Sequence, residues 1–176
     1  MNWKTLKSEI VFKNPFYEIV KETCETGSGR LINGYYTIKR PNVIIVAAIT
    51  EDRQIILINQ YRQPVKSRDI ELPAGYIEDG ETPMQAAKRE LLEETGYTSE
   101  NFKELKTAFA SAGTMSNTIH FFLATEAKKV AEQKLDPHEE LSVHPTPIED
   151  AFKFLEEGKI KDMASISGLL LIKDLL

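Results

Sequence analysis

The sequence predicts an α/β or α+β sandwich with one main domain, on three observations. Val43–Ile49 and Ile55–Ile58 are continuous, largely β-branched runs with the length of buried core strands. Pro83–Thr95 is a helix with clear start and stop signals. Two further helical segments follow in the C-terminal third, and strands mixed with helices in 176 residues pack as layers around one core.

Taken in order, residues 16–24 and 35–39 read as half-buried strands around the turn-like Gly27-Ser28-Gly29, giving an N-terminal hairpin or ribbon. The two core strands come next, separated by the polar Glu51-Asp52-Arg53. Residues 64–80 are rich in Pro, Gly and charge and read as a connection. Thr82 then supplies a helix N-cap, Pro83 suits the first helical position, and Gln85 completes a Thr-x-x-Gln capping box. Met84, Ala87 and Leu91 form the buried stripe with Ala86 beside it, and Gly96 is the stop. Ile119–Ala124 reads as another strand. The same cap logic starts a second helix at Thr146-Pro147-Ile148-Glu149, ended by Gly158, and a third, amphipathic helix is expected over about 164–175.

Composition narrows the function. Hydrophobic residues at 41% and charged residues at 28%, without a low-complexity tract, exclude a disordered or fibrous chain. A net charge of −5 without a Lys/Arg cluster argues against nucleic acid or an anionic membrane surface as partner. Cys24 is the sole cysteine and cannot form an internal disulfide. The N-terminus has no apolar core flanked by basic residues, and the longest apolar stretch, Val43–Ile49, is too short for a bilayer; a cytoplasmic protein is expected. His120, His138 and His144 stand singly without ligand spacing, so any metal should be a hard ion on oxygen.

The helix at 83–95 is electrostatically odd. Its macrodipole leaves the C-terminal end negative, yet Glu93 and Glu94 occupy the last turn, with Glu90 three and four residues before them on the same side. Like charges at this spacing each cost about 0.2–0.5 kcal/mol even when exposed, and pairing of Arg89 with Glu93 offsets only part of that. A divalent cation would reverse the sign, turning mutually repelling carboxylates into ligands. Leu72-Pro73-Ala74-Gly75 and Glu78-Asp79-Gly80-Glu81 bring further carboxylates and exposed backbone beside this helix.

Gly75, five residues, Glu81, seven residues, then Arg89-Glu90-Leu91-Leu92-Glu93-Glu94-Thr95-Gly96 resembles the Nudix box at every invariant position. Chance would produce the pattern on the order of once in 10⁸ to 10⁹ placements. Tyr97 departs softly, standing where the family usually has an aliphatic residue. Gln60-Tyr61-Arg62-Gln63-Pro64, Glu71-Leu72-Pro73-Ala74-Gly75 and Glu156-Glu157-Gly158-Lys159-Ile160 look like the ADP-ribose and nucleoside diphosphate sugar pyrophosphatase branch. The resemblance implies a Nudix α/β/α sandwich with a mixed sheet over residues 41–176. It also implies an N-terminal β-ribbon over residues 1–40 that serves a homodimer.

The same resemblance implies the chemistry. Glu90 and Glu94 would be direct ligands of Mg²⁺, or of Mn²⁺ in its place, Glu93 would share that work through water or a second metal, and the Ala74 carbonyl would complete the shell. Arg89 would orient the cluster, and Glu81 would support the loop or an outer water. A water would attack one phosphorus of a diphosphate bridge, as in ADP-ribose or GDP-mannose, releasing a nucleoside monophosphate and a sugar phosphate. The general base of this branch comes from an acidic loop after the last core strand, here Asp136-Pro137-His138-Glu139-Glu140, with Glu139 favoured and Glu140 second. Arg62 and Arg68 are the candidates for phosphate contacts, since a guanidinium suits bidentate recognition; Glu71, Gly113 and Thr114 complete the substrate set. Ser111-Ala112-Gly113-Thr114 lacks the proline of the family's Ser-Pro-Gly turn, and Asn117 stands where many ADP-ribose hydrolases have a Glu, so a tolerant nucleoside diphosphate sugar hydrolase fits better than a strict ADP-ribose enzyme. Two other readings stay open, a nucleoside triphosphate house-cleaning hydrolase and a non-catalytic ADP-ribose sensor. The N-terminal extension speaks against the first, and the intact box with no basic helix against the second.

Overall fold

The computed structural model describes residues 2–175 and divides into two compact units, one running up to Asn42 together with Ala108–Thr118, the other formed by Val43–Thr107 with the chain from Ile119 onward. Residues 1 and 176, at which the expected domains begin and end, lie outside the described residues. The first unit holds strands β1 (Lys4–Lys13), β2 (Glu18–Glu25) and β3 (Leu31–Lys39) in one antiparallel sheet of order β1-β2-β3. A two-stranded ribbon was the expectation from sequence; β1 adds a strand that its mix of Lys, Ser and Glu with scattered apolar residues conceals. All ten residues of β1 are exposed, and Trp3, Leu6, Ile10, Val11, Phe12 and Phe16 all leave apolar surface in solvent. The segment 108–118 is tied to β3: the Tyr35 hydroxyl donates to the Gly113 carbonyl at 3.0 Å, and the Ile38 N–H donates to the Thr114 carbonyl at 2.8 Å.

In the second unit β4 (Val43–Thr50) and β5 (Gln54–Arg62) are the expected core strands. Their first residues aside, nearly every side chain of β4 is buried, because this strand has neighbours on both edges. It pairs in parallel with β10 (Thr118–Lys129), which makes the sheet mixed; its opposite edge is shared by β5 and by β7 (Ala74–Tyr76). β6 (Ser67–Glu71) and β7 form inside the stretch expected to be a connection: Ile58 pairs with Glu71 and Ile44 with Gly75. Pro and Gly there mark strand ends and not one long loop. β8 (Tyr97–Thr98), β9 (Asn101–Phe109) and β11 (Leu141–Pro147) complete the sheet.

Helix α1 (Pro83–Thr95) starts as expected, with Thr82 accepting from the Gln85 N–H and Gln85 returning to the Thr82 backbone, and stops at Gly96 with φ 73°. Its Ala86, Ala87 and Leu91 pack with Ile44, Val46 and Ala48. Successive strand residues point to opposite faces, and Ile45 is met on the other face by α3 (Met163–Ile172): a Cβ on Gly168 would lie 2.6 Å from Leu72 Cδ1 and 3.4 Å from Ile45 Cγ2. Helix, mixed sheet, helix is the three-layer sandwich expected from sequence.

Two local expectations are corrected. Thr146 does not cap α2 (Ile148–Glu156): β11 stays paired with β5 through Pro147, so Pro147 is the cap residue, without a side-chain bond, and the Thr146 hydroxyl donates to the His144 carbonyl at 2.9 Å. The third helix is not amphipathic, since Leu169 and Ile172 are buried while Met163 and Leu170 are exposed; its start is set by Asp162, which accepts from the Ser165 N–H at 2.7 Å.

Candidate active site

Capping fixes the register of α1 and so sets where Glu90, Glu93 and Glu94 point: Glu94 is buried beside Leu91, while Glu90 and Glu93 are partly exposed. Glu94 is the most enclosed, 2% exposed, and one of its oxygens accepts the Ala74 N–H at 2.9 Å. Burial pushes its carboxyl well above the usual carboxylate range; Glu90 and Glu139 push it further, against the Ala74 hydrogen bond and the positive charge of Arg62. Glu90 is raised by burial too, against its bond with Arg89, and here again Glu139 and Glu93 add to the rise. Glu139 thus faces the buried pair electrostatically. Its own carboxylate accepts the Asp136 N–H at 3.0 Å while its N–H donates to the Asp136 carbonyl at 2.9 Å, a closed turn.

Gly75 explains how Glu90 reaches the strand. A Cβ there would stand 2.0 Å from Glu90 Cδ and Oε1 and 2.6 Å from Oε2, so only a residue without a side chain lets that carboxylate lie against the β7 backbone.

Arg89 spends all five guanidinium N–H groups within the cluster. Its Nε and Nη2 grip Glu81 at 2.8 and 3.0 Å, Nη2 also donates to the Tyr76 carbonyl at 2.9 Å, and Nη1 donates to Glu90 at 2.7 Å and to Glu93 at 3.1 Å. These bonds raise the Arg89 pKa, Glu81 contributing most, and the Glu81 carboxyl is lowered in return. Removing the cation while leaving its carboxylates partly covered should be costly. Arg89→Met is expected to destabilise the protein by about 3 kcal/mol, seen as a lower urea midpoint at unchanged slope; a midpoint equal to the parent's would mean the cluster does not depend on this charge.

The other expected residues fall as follows. Glu71, expected to meet substrate, is 3% exposed and holds Arg62 in a two-point pair: Nε donates to Oε1 at 2.9 Å, and Nη2 to Oε2. This pair raises the Arg62 pKa, Glu94 adding to the effect. Arg68 donates to Glu140 and, at 3.2 Å, to the Asn59 carbonyl, so that the second candidate base and the second phosphate candidate are joined to each other. Gly113 and Thr114 belong to the first unit, where their carbonyls are taken by Tyr35 and Ile38. Gln133 was not singled out by the sequence: its amide donates to the Glu94 main-chain carbonyl at 2.6 Å. A lone Gln in a polar loop carries no signal that could have found it.

Among the described residues no three acidic, His or Cys side chains form a ready-made metal cage. The donor set nevertheless fits a hard cation: Glu94 is a buried carboxylate whose charge is met by one backbone N–H and by Arg62 but opposed by Glu90 and Glu139, and carboxylate oxygens are what such an ion takes as ligands.

A family model described as the NUDIX domain matches residues 38–166. The chain belongs to the Nudix family. The structure also resembles a solved "ADP compounds hydrolase" with TM-score 0.88 over 100% of this chain and 95% of that one; at 22% identity this speaks for the shared Nudix fold. Among curated relatives, an ADP-ribose pyrophosphatase of Bacillus subtilis (strain 168) is 33% identical over 90% of this chain and 86% of its own length. A GDP-mannose pyrophosphatase of Yersinia enterocolitica is 30% identical over 86% of this chain and 80% of its own. The residues quoted above as the box are thus the Nudix box of this chain, and the α/β/α sandwich is the Nudix fold.

Proposed function

We propose that this Nudix pyrophosphohydrolase cuts the diphosphate bond of nucleoside diphosphate sugars, ADP-ribose and GDP-mannose being representative, to a nucleoside monophosphate and a sugar phosphate. One observation carries the reading: the helix of the Nudix box holds two enclosed carboxylates against the β7 backbone, Glu94 on the Ala74 N–H at 2.9 Å and Glu90 in the space that a Cβ on Gly75 would fill. Glu90, Glu94, Glu93 and the Ala74 carbonyl would hold Mg²⁺, with Mn²⁺ able to replace it. Such an ion, when bound, neutralises phosphate charge and lowers the pKa of a bound water.

The chain's own residues do the rest. Glu139 takes the proton of the attacking water as its oxygen bonds to phosphorus and the bridging P–O bond breaks. Arg62, braced from behind by Glu71, presents its free edge to a non-bridging phosphate oxygen. Arg89 has no N–H left to offer and serves to hold Glu90 and Glu93. The exposed apolar residues of the ribbon support a homodimer in which they are covered; a 20.0 kDa species in light scattering would refute it. A net charge of −5 disfavours nucleic acid and an anionic membrane surface as partners, and a substrate drawn from the nucleotide pool favours a cytoplasmic setting. Among the described residues no helix is long and apolar enough to cross a membrane.

The test is release of phosphatase-sensitive product from ADP-ribose, GDP-mannose, UDP-glucose and dGTP with Mg²⁺. The conjugates should be cut, with Glu139→Gln lowering kcat by about 10²–10⁴-fold, the range of a general base. Cleavage of dGTP alone would move the chain to the triphosphate hydrolases; binding of ADP-ribose without turnover would make it a sensor.

A further inference from the structure

The loop that bears Glu139 is fastened at both ends. At its start, residues 130–134 lie across the C-terminal end of α1 and take carbonyls that the helix leaves unpaired: Val130 and Ala131 N–H groups donate to the Gly96 carbonyl at 2.9 and 3.2 Å, the Lys134 N–H to that of Glu93 at 2.8 Å, and the Gln133 amide to that of Glu94 at 2.6 Å. The contact is close enough that a Cβ on Gly96 would stand 2.0 Å from the Ala131 oxygen. At its end, the Tyr61 N–H reaches the Glu140 carbonyl at 3.4 Å, and Arg68, itself on the Asn59 carbonyl, pairs with the Glu140 carboxylate.

Between these fastenings run Leu135–Glu139, a short span in which Asp136 and Glu139 close a turn on each other. Among the described residues no hydrogen bond from within that turn ties it to the rest of the fold, so the position of the Glu139 carboxylate is set by hydrogen bonds to the helix end on one side and by the ion pair on the other. The Arg68–Glu140 pair is solvent-exposed and adds little to global stability, but a weak contact suffices to select one of several loop positions of nearly equal energy.

We propose that Gln133 and Arg68 are positioning residues that act through Glu139: Gln133 fixes the start of its loop to the metal-helix end, and Arg68, through Glu140, fixes the finish. The proposal rests on Glu139 being the general base.

The test is a set of double-mutant cycles in kcat, read with hydrogen–deuterium exchange of the metal-free protein. Gln133→Ala and Arg68→Ala should each lower kcat about tenfold, with KM within about twofold, and speed amide exchange in 134–140 without speeding it in α1. Arg68→Lys, which keeps the charge, should restore most of the loss. In a Glu139→Gln background the same two substitutions should have almost no further effect, because the group they position is gone; a role in general stability would lower activity in both backgrounds alike. Additive losses, or loop exchange unchanged in both single variants, overturn the proposal while leaving Glu139 as base. Full activity of Glu139→Gln overturns the base and the positioning role together.

Discussion

Glu94→Gln is expected to abolish turnover, lowering kcat by about 10³-fold, while the metal-free protein melts higher than its parent. Both effects come from one carboxylate placed where water cannot reach it. Gln keeps the shape and can still accept the Ala74 N–H, but it removes a charge whose burial is opposed only in part by that bond and by Arg62. The pH dependence follows. The folded-state pKa of Glu94 lies above its unfolded value, so its favourable contribution is complete at pH below about 4.3 and is lost as pH rises through the folded value. Glu90 acts with the same sign. The groups held low, such as Glu81 and Glu104, lose their contribution only in more acid solution and leave this window flat. With chelator present, the parent should therefore lose melting temperature between pH 5 and pH 8. Glu94→Gln should gain about 3 °C or more at pH 8 with a shallower slope. A variant that melts lower than the parent with the parent's slope would show that Glu94 is not a strained buried charge.

Gly75→Ala is the second large effect. The added methyl would occupy the space of the Glu90 carboxylate, 2.0 Å from two of its atoms. Those atoms are the far end of a flexible side chain, so the fold accommodates the change by turning Glu90 away. A displacement on the order of 1 Å in a positioning group costs about 10²-fold in rate. Expected, therefore, are a melting temperature within a few degrees of the parent, kcat lower by about 10²-fold, and weaker Mn²⁺ binding by calorimetry. Activity within threefold of the parent would mean that Glu90 is not needed where it stands.

The helix of the box was legible because every signal for it is local. Thr82, Pro83 and Gln85 set its start and Gly96 its stop, so the facing of Glu90, Glu93 and Glu94 follows from spacing alone. The layers were legible too, since Val43–Ile49 in β4 and Ile55–Ile58 in β5 are unbroken apolar runs that need cover on both faces. Concealed from sequence were features decided by pairing between distant segments. β1 is a strand because β2 offers it an edge, not because its residues alternate cleanly. Thr146 carries a capping signal that the ladder with β5 overrides. In the site, arginine and glutamate could be named as useful types, but which Arg meets which Glu could not: Arg62 pairs with Glu71, and Arg68 pairs with Glu140, the second candidate base.

The join between α1 and the segment after β10 is made largely of main chain. Gly96 and Glu93 offer carbonyls, Val130, Ala131 and Lys134 offer N–H groups, and only Gln133 takes part through a side chain. Any residue but proline can supply those N–H groups. Leu135 stands outside both the join and the Asp136–Glu139 turn that Pro137 and His138 span, so the side chains at 130, 131, 134 and 135 can vary while the loop acid stays fastened to the helix end. The span between helix and loop is thus written in the backbone, and a library randomised at those four positions with proline left out should retain it.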